Sequence, residues 1–137
     1  MTGIRRINHV AVVVDDIQAA LAFWHDALGL ELAGVQEVPE QQAVVAFLPT
    51  GESDIELVKP TGEDSGAARF LRKRGPGMHH ICLEVEDLDA TLQRLAAMGV
   101  RLINPEPVAG AGNTRVAFVH PESAFGVLVE LSETGRS

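Results

Sequence analysis

Between His9 and Val14 the chain alternates with period two. His9, Ala11 and Val13 face one way and Val10, Val12 and Val14 the other, the signature of a half-buried strand. Asp15 and Asp16 follow where a helix cap belongs. Ile17, Leu21, Trp24 and Leu28 then recur at helical spacing up to Gly29, which predicts an amphipathic helix ended by glycine. Three short strands are expected next, near 31–38, 42–48 and 54–58. The pattern then restarts, with a strand at 79–85, a helix at 88–98, Gly99, and strands near 100–104, 115–119 and 126–132. Between the two runs, DSGAARFLRKRGPG (64–77) predicts a short basic helix closed by Gly75, a connector with no mark of a domain boundary.

Each half is thus β-α-β-β-β, and the halves are similar in sequence. INHVAVVVDD (7–16) falls on MHHICLEVED (78–87) at an offset of 71, with His9 on His80 and Leu21 on Leu92. VAFLP (45–49) falls on VAFVHP (116–121), and IELV (55–58) on VELS (129–132), so that Glu56 meets Glu130. Two copies of a unit this long do not make a solenoid. They imply one α+β domain over 1–137, built from two tandem βαβββ modules at about 5–60 and 76–133.

Composition narrows the function. The 137 residues are 46 % hydrophobic and 22 % charged, with a net charge of −8, the balance of an ordinary globular domain. The acidic surplus argues against nucleic acid, whose phosphate backbone calls for a basic face. No run approaches the 18 apolar residues of a membrane span, and the N-terminus lacks a signal-peptide pattern. A single cysteine, Cys82, excludes an internal disulfide and suits a reducing compartment. The expected setting is cytoplasmic.

Four polar residues stand where apolar ones belong. His9 opens an apolar strand and His80 occupies the equivalent place. Glu56 interrupts Ile55, Leu57 and Val58, and Glu130 interrupts Val127, Leu128, Val129 and Leu131. A carboxylate there is costly unless it is paired or bound to a cation. Any one of the four alone is an ordinary strand-end or ion-paired residue. Their repetition at equivalent points of a duplicated unit instead suggests two imidazoles and two carboxylates around one divalent transition metal, with positions left open for water or substrate.

These four positions within a duplicated β-α-β-β-β unit resemble the vicinal oxygen chelate superfamily, the glyoxalase fold, and its branch of methylmalonyl-CoA epimerases. The strings that carry the resemblance are INHVAVVVDDI, FW-x₃-LGLEL (23–32), VPEQ (38–41), VAFLPTGESDIELVKP (45–60), the run ending in FLRKRGPGMHHICLEVEDL (to 88) and TRVAFVHPESAFGVLVEL (114–131). Together they cover nearly the whole chain.

The resemblance implies a curved mixed sheet around the metal. Its ligands would be His9, His80 and Glu130, with Glu56, a position where some relatives carry Gln, as the fourth. The ion would be Co²⁺, with Zn²⁺, Mn²⁺, Ni²⁺ and Fe²⁺ as alternatives. The reaction would be inversion at the carbon between thioester and carboxylate of methylmalonyl-CoA, in propionate metabolism, with a Lewis acid stabilising the charge that deprotonation creates. Inversion is simplest with an acid/base group on each face, and the resemblance implies Glu40 and Glu130 for those roles. It also implies a homodimer with an acyl-CoA as its small-molecule partner. Ethylmalonyl-CoA differs by one methylene, which a pocket discriminates only weakly.

Other residues receive plainer readings. His79 alternates to the face opposite His80, as a core or supporting group. Glu84 shares the face of His80 and Cys82, either at the sheet rim, the favoured reading, or lining the cavity. His120 is a turn residue, His25 a solvated helix residue and Cys82 a buried small side chain. Gly110-Ala111-Gly112-Asn113 departs from the Gly-Ala-His-Gly of many relatives, which bears on substrate preference. Arg69, Arg72, Lys73 and Arg74 form a basic cluster that reads as a solvated helix face, with the phosphates of coenzyme A as the alternative. The rival functions are a lactoylglutathione lyase of the glyoxalase I type, an iron dioxygenase, and a ligand-sequestering protein, which commonly lacks the ligands that this chain keeps.

Overall fold

Residues 3–110 and 112–134 are described by a computed structural model, and Ala111 of the departing loop lies outside them. The backbone separates into two compact units, residues 9–79 and residues 3–8 with 80–134. The unit boundaries differ from the expected modules. The first residues of β1 (Ile4–Val13) belong with the second unit, and the connecting helix belongs with the first.

In the first unit β1 gives way to α1 (Ile17–Leu21), whose N-cap Asp16 accepts from the Ala19 N–H at 3.1 Å. Helix α1 runs on as a wide π-turn over Ala22–Ala27. There the Leu28 N–H reaches back five residues to the Phe23 carbonyl at 2.8 Å. A π-turn takes up an extra residue, so the 3.6 periodicity slips. Ile17 and Leu21 are buried, whereas Leu28, expected on the same face, is exposed. Strands β2 (Gly34–Val38), β3 (Ala43–Pro49) and β4 (Asp54–Pro60) follow, and the sheet order is β2-β3-β4-β1. The first two pairings are antiparallel and the pairing of β4 with β1 is parallel. Helix α2 (Gly66–Arg74), capped by Ser65 and stopped at Gly75 with φ 75°, packs on β4.

The second unit repeats the plan. Strand β5 (Gly77–Val85) leads to α3 (Leu88–Ala97), whose N-cap Asp87 accepts from the Ala90 N–H at 3.0 Å. Strands β6 (Val108–Ala109), β7 (Thr114–Val119) and β8 (Val129–Thr134) complete the order β1-β5-β8-β7-β6, β1 supplying residues 4–8. β5 and β8 are parallel, and β6-β7 and β7-β8 antiparallel. The strand expected near 100–104 is reduced to one bridge, Leu102 with Val119. Beyond it the Asn104 side chain, not a strand main chain, accepts from the Phe118 N–H at 2.7 Å. Pro105 and Pro107 then remove two donors that a ladder needs.

The two apolar cores correspond residue by residue. Val14, Ile17, Leu21, Ala46 and Leu48 in the first unit match Val85, Leu88, Leu92, Ala117 and Val119 in the second, each 71 positions later. Leu57 matches Leu131 at 74, the offset that also relates Glu56 to Glu130. Among the described residues no helix is long and apolar enough to cross a membrane.

Candidate metal and active site

Strand pairing sets each glutamate beside its histidine. In the first unit Glu56 on β4 is the register partner of Ala11 on β1, and His9 lies two residues before Ala11, on the same face of the strand. In the second, Glu130 on β8 pairs with Cys82 on β5, and His80 lies two residues before Cys82. On its antiparallel side each glutamate faces a phenylalanine, Phe47 or Phe118. The side chains meet accordingly. His9 Nδ1 lies 3.2 Å from Glu56 Oε2, and His80 Nε2 lies 2.9 Å from Glu130 Oε1. The Phe118 ring packs edge-on against the His80 imidazole at 5.9 Å. The four side chains are only 5–12 % exposed.

Each unit holds one imidazole beside one carboxylate, the mixed N and O chemistry that divalent first-row ions accept. Two ligands on one ion at about 2.0–2.2 Å stand roughly 3 Å apart, the separation seen within each pair. The same separation serves as a hydrogen bond when no ion is bound.

Glu40 sits in the short 3₁₀ turn Pro39–Gln41 between β2 and β3, exposed, with no hydrogen bond or ion pair among the described residues. The turn is closed by Gln42 in the left-handed region, φ 51°, whose N–H donates to the Pro39 carbonyl at 3.1 Å. The structure therefore gives Glu40 the freedom of a loop carboxylate, with no hydrogen bond or ion pair to His9 or Glu56 among the described residues.

Glu84 departs from the expectation of a sheet rim. It is 8 % exposed, and its Oε1 accepts from Arg6 Nε at 3.2 Å, Arg6 Nη2 at 3.1 Å and Asn8 Nδ2 at 3.2 Å. Three donor atoms converge on that one carboxylate oxygen and hold the side chain in place. The cationic residues near the N-terminus were visible in the sequence. Their partner was not, because it lies 78 residues away.

Cys82 is buried, its Sγ 3.3 Å from Ser132 Oγ. His120 caps the turn at Pro121–Ala124, Nδ1 accepting from the Glu122 N–H at 3.0 Å. His25 is only half-exposed: its Nδ1 lies 2.6 Å from the Leu30 carbonyl, tying down the end of the first helix. His79 packs edge-on against Phe70 of α2 at 5.1 Å, a supporting contact. A cavity of about 490 Å³ beside α3 holds none of the expected site residues. Arg115 lines it, reaching Asp89 at 3.1 Å and Glu133 at 3.2 Å. Its hydrogen bond to Asp89 raises the guanidinium pKa.

Residues 8–118 match the family model of the glyoxalase/bleomycin resistance protein/dioxygenase superfamily, and the chain belongs to that superfamily. Within it, the chain is 42 % identical to an ethylmalonyl-CoA/methylmalonyl-CoA epimerase of Cereibacter sphaeroides, over 95 % of this chain and 98 % of the relative. The crystal structure of a methylmalonyl-CoA epimerase from Mycobacterium tuberculosis superposes with a TM-score of 0.88 at 38 % identity, covering 97 % of this chain and 90 % of that one. A methylmalonyl-CoA epimerase in complex with methylmalonyl-CoA and NH₄⁺ superposes with a TM-score of 0.89 at 33 % identity, covering 96 % of each chain. A lactoylglutathione lyase of Salmonella typhimurium is more distant, at 26 % identity over 96 % of each chain.

Proposed function

We propose that this protein is a methylmalonyl-CoA epimerase, interconverting the 2R and 2S epimers by removing and returning the proton on the carbon between thioester and carboxylate. The observation that carries the reading is the pair of buried histidine–glutamate contacts, one per unit, in a chain related over its whole length to such epimerases. The lyase reading is the weaker one, since those relatives share less of the sequence.

In this reading His9, Glu56, His80 and Glu130 hold a divalent ion, Co²⁺ by preference over Zn²⁺, Mn²⁺, Ni²⁺ or Fe²⁺. When bound, the ion supplies positive charge to the substrate's thioester and carboxylate oxygens. The chain's own groups move the proton. Glu40, unpaired on its turn, serves one face of the carbon, and Glu130 serves the other. A carboxylate removes the proton on one side while its opposite number, protonated, delivers one on the other. Phe118 and Phe47, across the ladder from the two glutamates, limit the water that reaches the carboxylates. The same reading makes the enzyme a cytoplasmic homodimer of propionate metabolism, and it extends to ethylmalonyl-CoA, one methylene larger.

The deciding experiment is to incubate metal-loaded protein with one methylmalonyl-CoA epimer and follow the configuration at C2. Epimerisation at C2 well above the uncatalysed rate supports the reading. An unchanged epimer in the presence of each of these ions overturns it.

A further inference from the structure

We propose that the exposed basic face of α2 binds the phosphate groups of the acyl-CoA substrate. The inference rests on the epimerase reading, because it takes the ligand to be a coenzyme A thioester.

The chain carries 11 cationic side chains against 19 acidic ones, and four of the 11 fall within residues 69–74. Arg69, Arg72, Lys73 and Arg74 are all exposed, while Ala68 is buried and Phe70 and Leu71 are half-buried. The helix thus turns its apolar side to the unit and a wholly cationic side to solvent, with no acidic residue among GAARFLRKR. Other arginines of the chain face carboxylates: Arg5 and Arg6 face Glu84, Arg101 faces Glu122, and Arg115 faces Asp89 and Glu133. The cations of α2 have no such partner among the described residues. Arg69 and Arg72 donate to the main-chain carbonyls of Asp64 and Glu63, and Arg74 lies over the Phe70 ring at 5.6 Å. These contacts aim the side chains without neutralising them.

Compensation of the helix dipole explains cations in the last turn only, because the effect fades within a turn. It leaves Arg69 unexplained. An acidic protein with a polyanionic substrate needs a local cationic surface to draw that substrate in, and the guanidinium fork matches phosphate oxygens. The helix is also well placed. It packs on β4, the strand of Glu56. The Thr61 N–H just before it donates to the carbonyl of Gln42, next to the Glu40 turn, at 2.9 Å.

The test uses the variant Arg69→Gln/Arg72→Gln/Lys73→Gln, which keeps helix-forming residues and leaves the Arg74–Phe70 contact intact. The KM and kcat are measured with methylmalonyl-CoA and with methylmalonyl-pantetheine, which lacks the phosphates. Calorimetry follows 3′,5′-ADP, with inorganic phosphate as control. We expect the KM for the CoA thioester to rise about tenfold at unchanged kcat, as three weak surface ion pairs would predict. The pantetheine KM should stay constant, 3′,5′-ADP binding should be lost, and the salt dependence of KM should flatten. An unchanged CoA KM, or an equal rise for both substrates, would overturn the proposal. So would inorganic phosphate binding as tightly as 3′,5′-ADP. If wild-type protein turns over neither thioester, the epimerase reading fails, while 3′,5′-ADP binding still decides whether α2 is a phosphate site.

Discussion

His80 Nε2 and Glu130 Oε1 lie 2.9 Å apart across the parallel pairing of β5 with β8, and the other unit repeats the relationship with His9 and Glu56 across β1 and β4. In each case the histidine stands two residues before the register partner of its glutamate. The repeat is therefore one of hydrogen-bonding register as well as of residue type. Random burial of four charged groups does not produce such a match.

That relationship predicts metal dependence. Chelation should abolish epimerisation, and titrating Co²⁺ into the apoprotein should restore it with one ion bound per chain. His9→Ala and His80→Ala should each weaken Co²⁺ binding by at least about 10–100-fold, the loss typical of residues one shell further from a metal. Glu56→Gln should cost less than Glu130→Gln, because Glu130 is assigned a second role as an acid/base group. Full activity in rigorously metal-free protein would refute the assignment.

The two carboxylates assigned to opposite faces predict an isotope pattern. In D₂O, product should gain deuterium at C2 while remaining substrate stays protonated at early times. Glu40→Gln should leave metal content near normal and slow epimerisation by at least about 10²-fold. It should still exchange the proton of the one epimer that presents it to Glu130. Epimerisation at the wild-type rate in Glu40→Gln would reduce Glu40 to a turn residue.

Glu84 offers a contrast within the same face. Its carboxylate is held by Arg6 and Asn8, so it is structural. Glu84→Gln should keep turnover within a few-fold of wild type. Arg6→Ala should lower stability by about 1–3 kcal/mol in urea unfolding, because it strips partners from a buried acceptor. Adding Glu84→Gln to Arg6→Ala should recover part of that loss, since a neutral amide is cheaper to leave unpaired than a carboxylate. A larger loss of turnover than of stability in Glu84→Gln would instead make it a candidate base.

Homodimer formation is testable by mass. Light scattering at micromolar concentration should report twice the chain mass. Phe23 and Leu28, both 55 % exposed at the end of the first helix, are the apolar contacts we expect to be covered. Phe23→Glu with Leu28→Glu should shift the mass to that of a monomer. A monomeric wild-type protein would count against the dimer outright.

Local chemistry wrote much of this protein into its sequence. Strand parity around His9 and His80, caps at Asp16 and Asp87, the stop at Gly75 and the two-fold repetition all depend on neighbours a few residues away, or on direct self-similarity. The four polar intrusions into apolar strands were legible for the same reason. Tertiary structure decided what depends on distant partners. Which strand accepts which hydrogen bonds is a non-local choice, and so residues 100–104 yielded their ladder to the Asn104 side chain. The π-turn rotated Leu28 out of the apolar face because the helix widened by a residue, which no 3.6-residue count can register. Glu84 can be buried only because folding delivers Arg6 and Asn8 to it from the far end of the chain, and a buried carboxylate without such partners is costly.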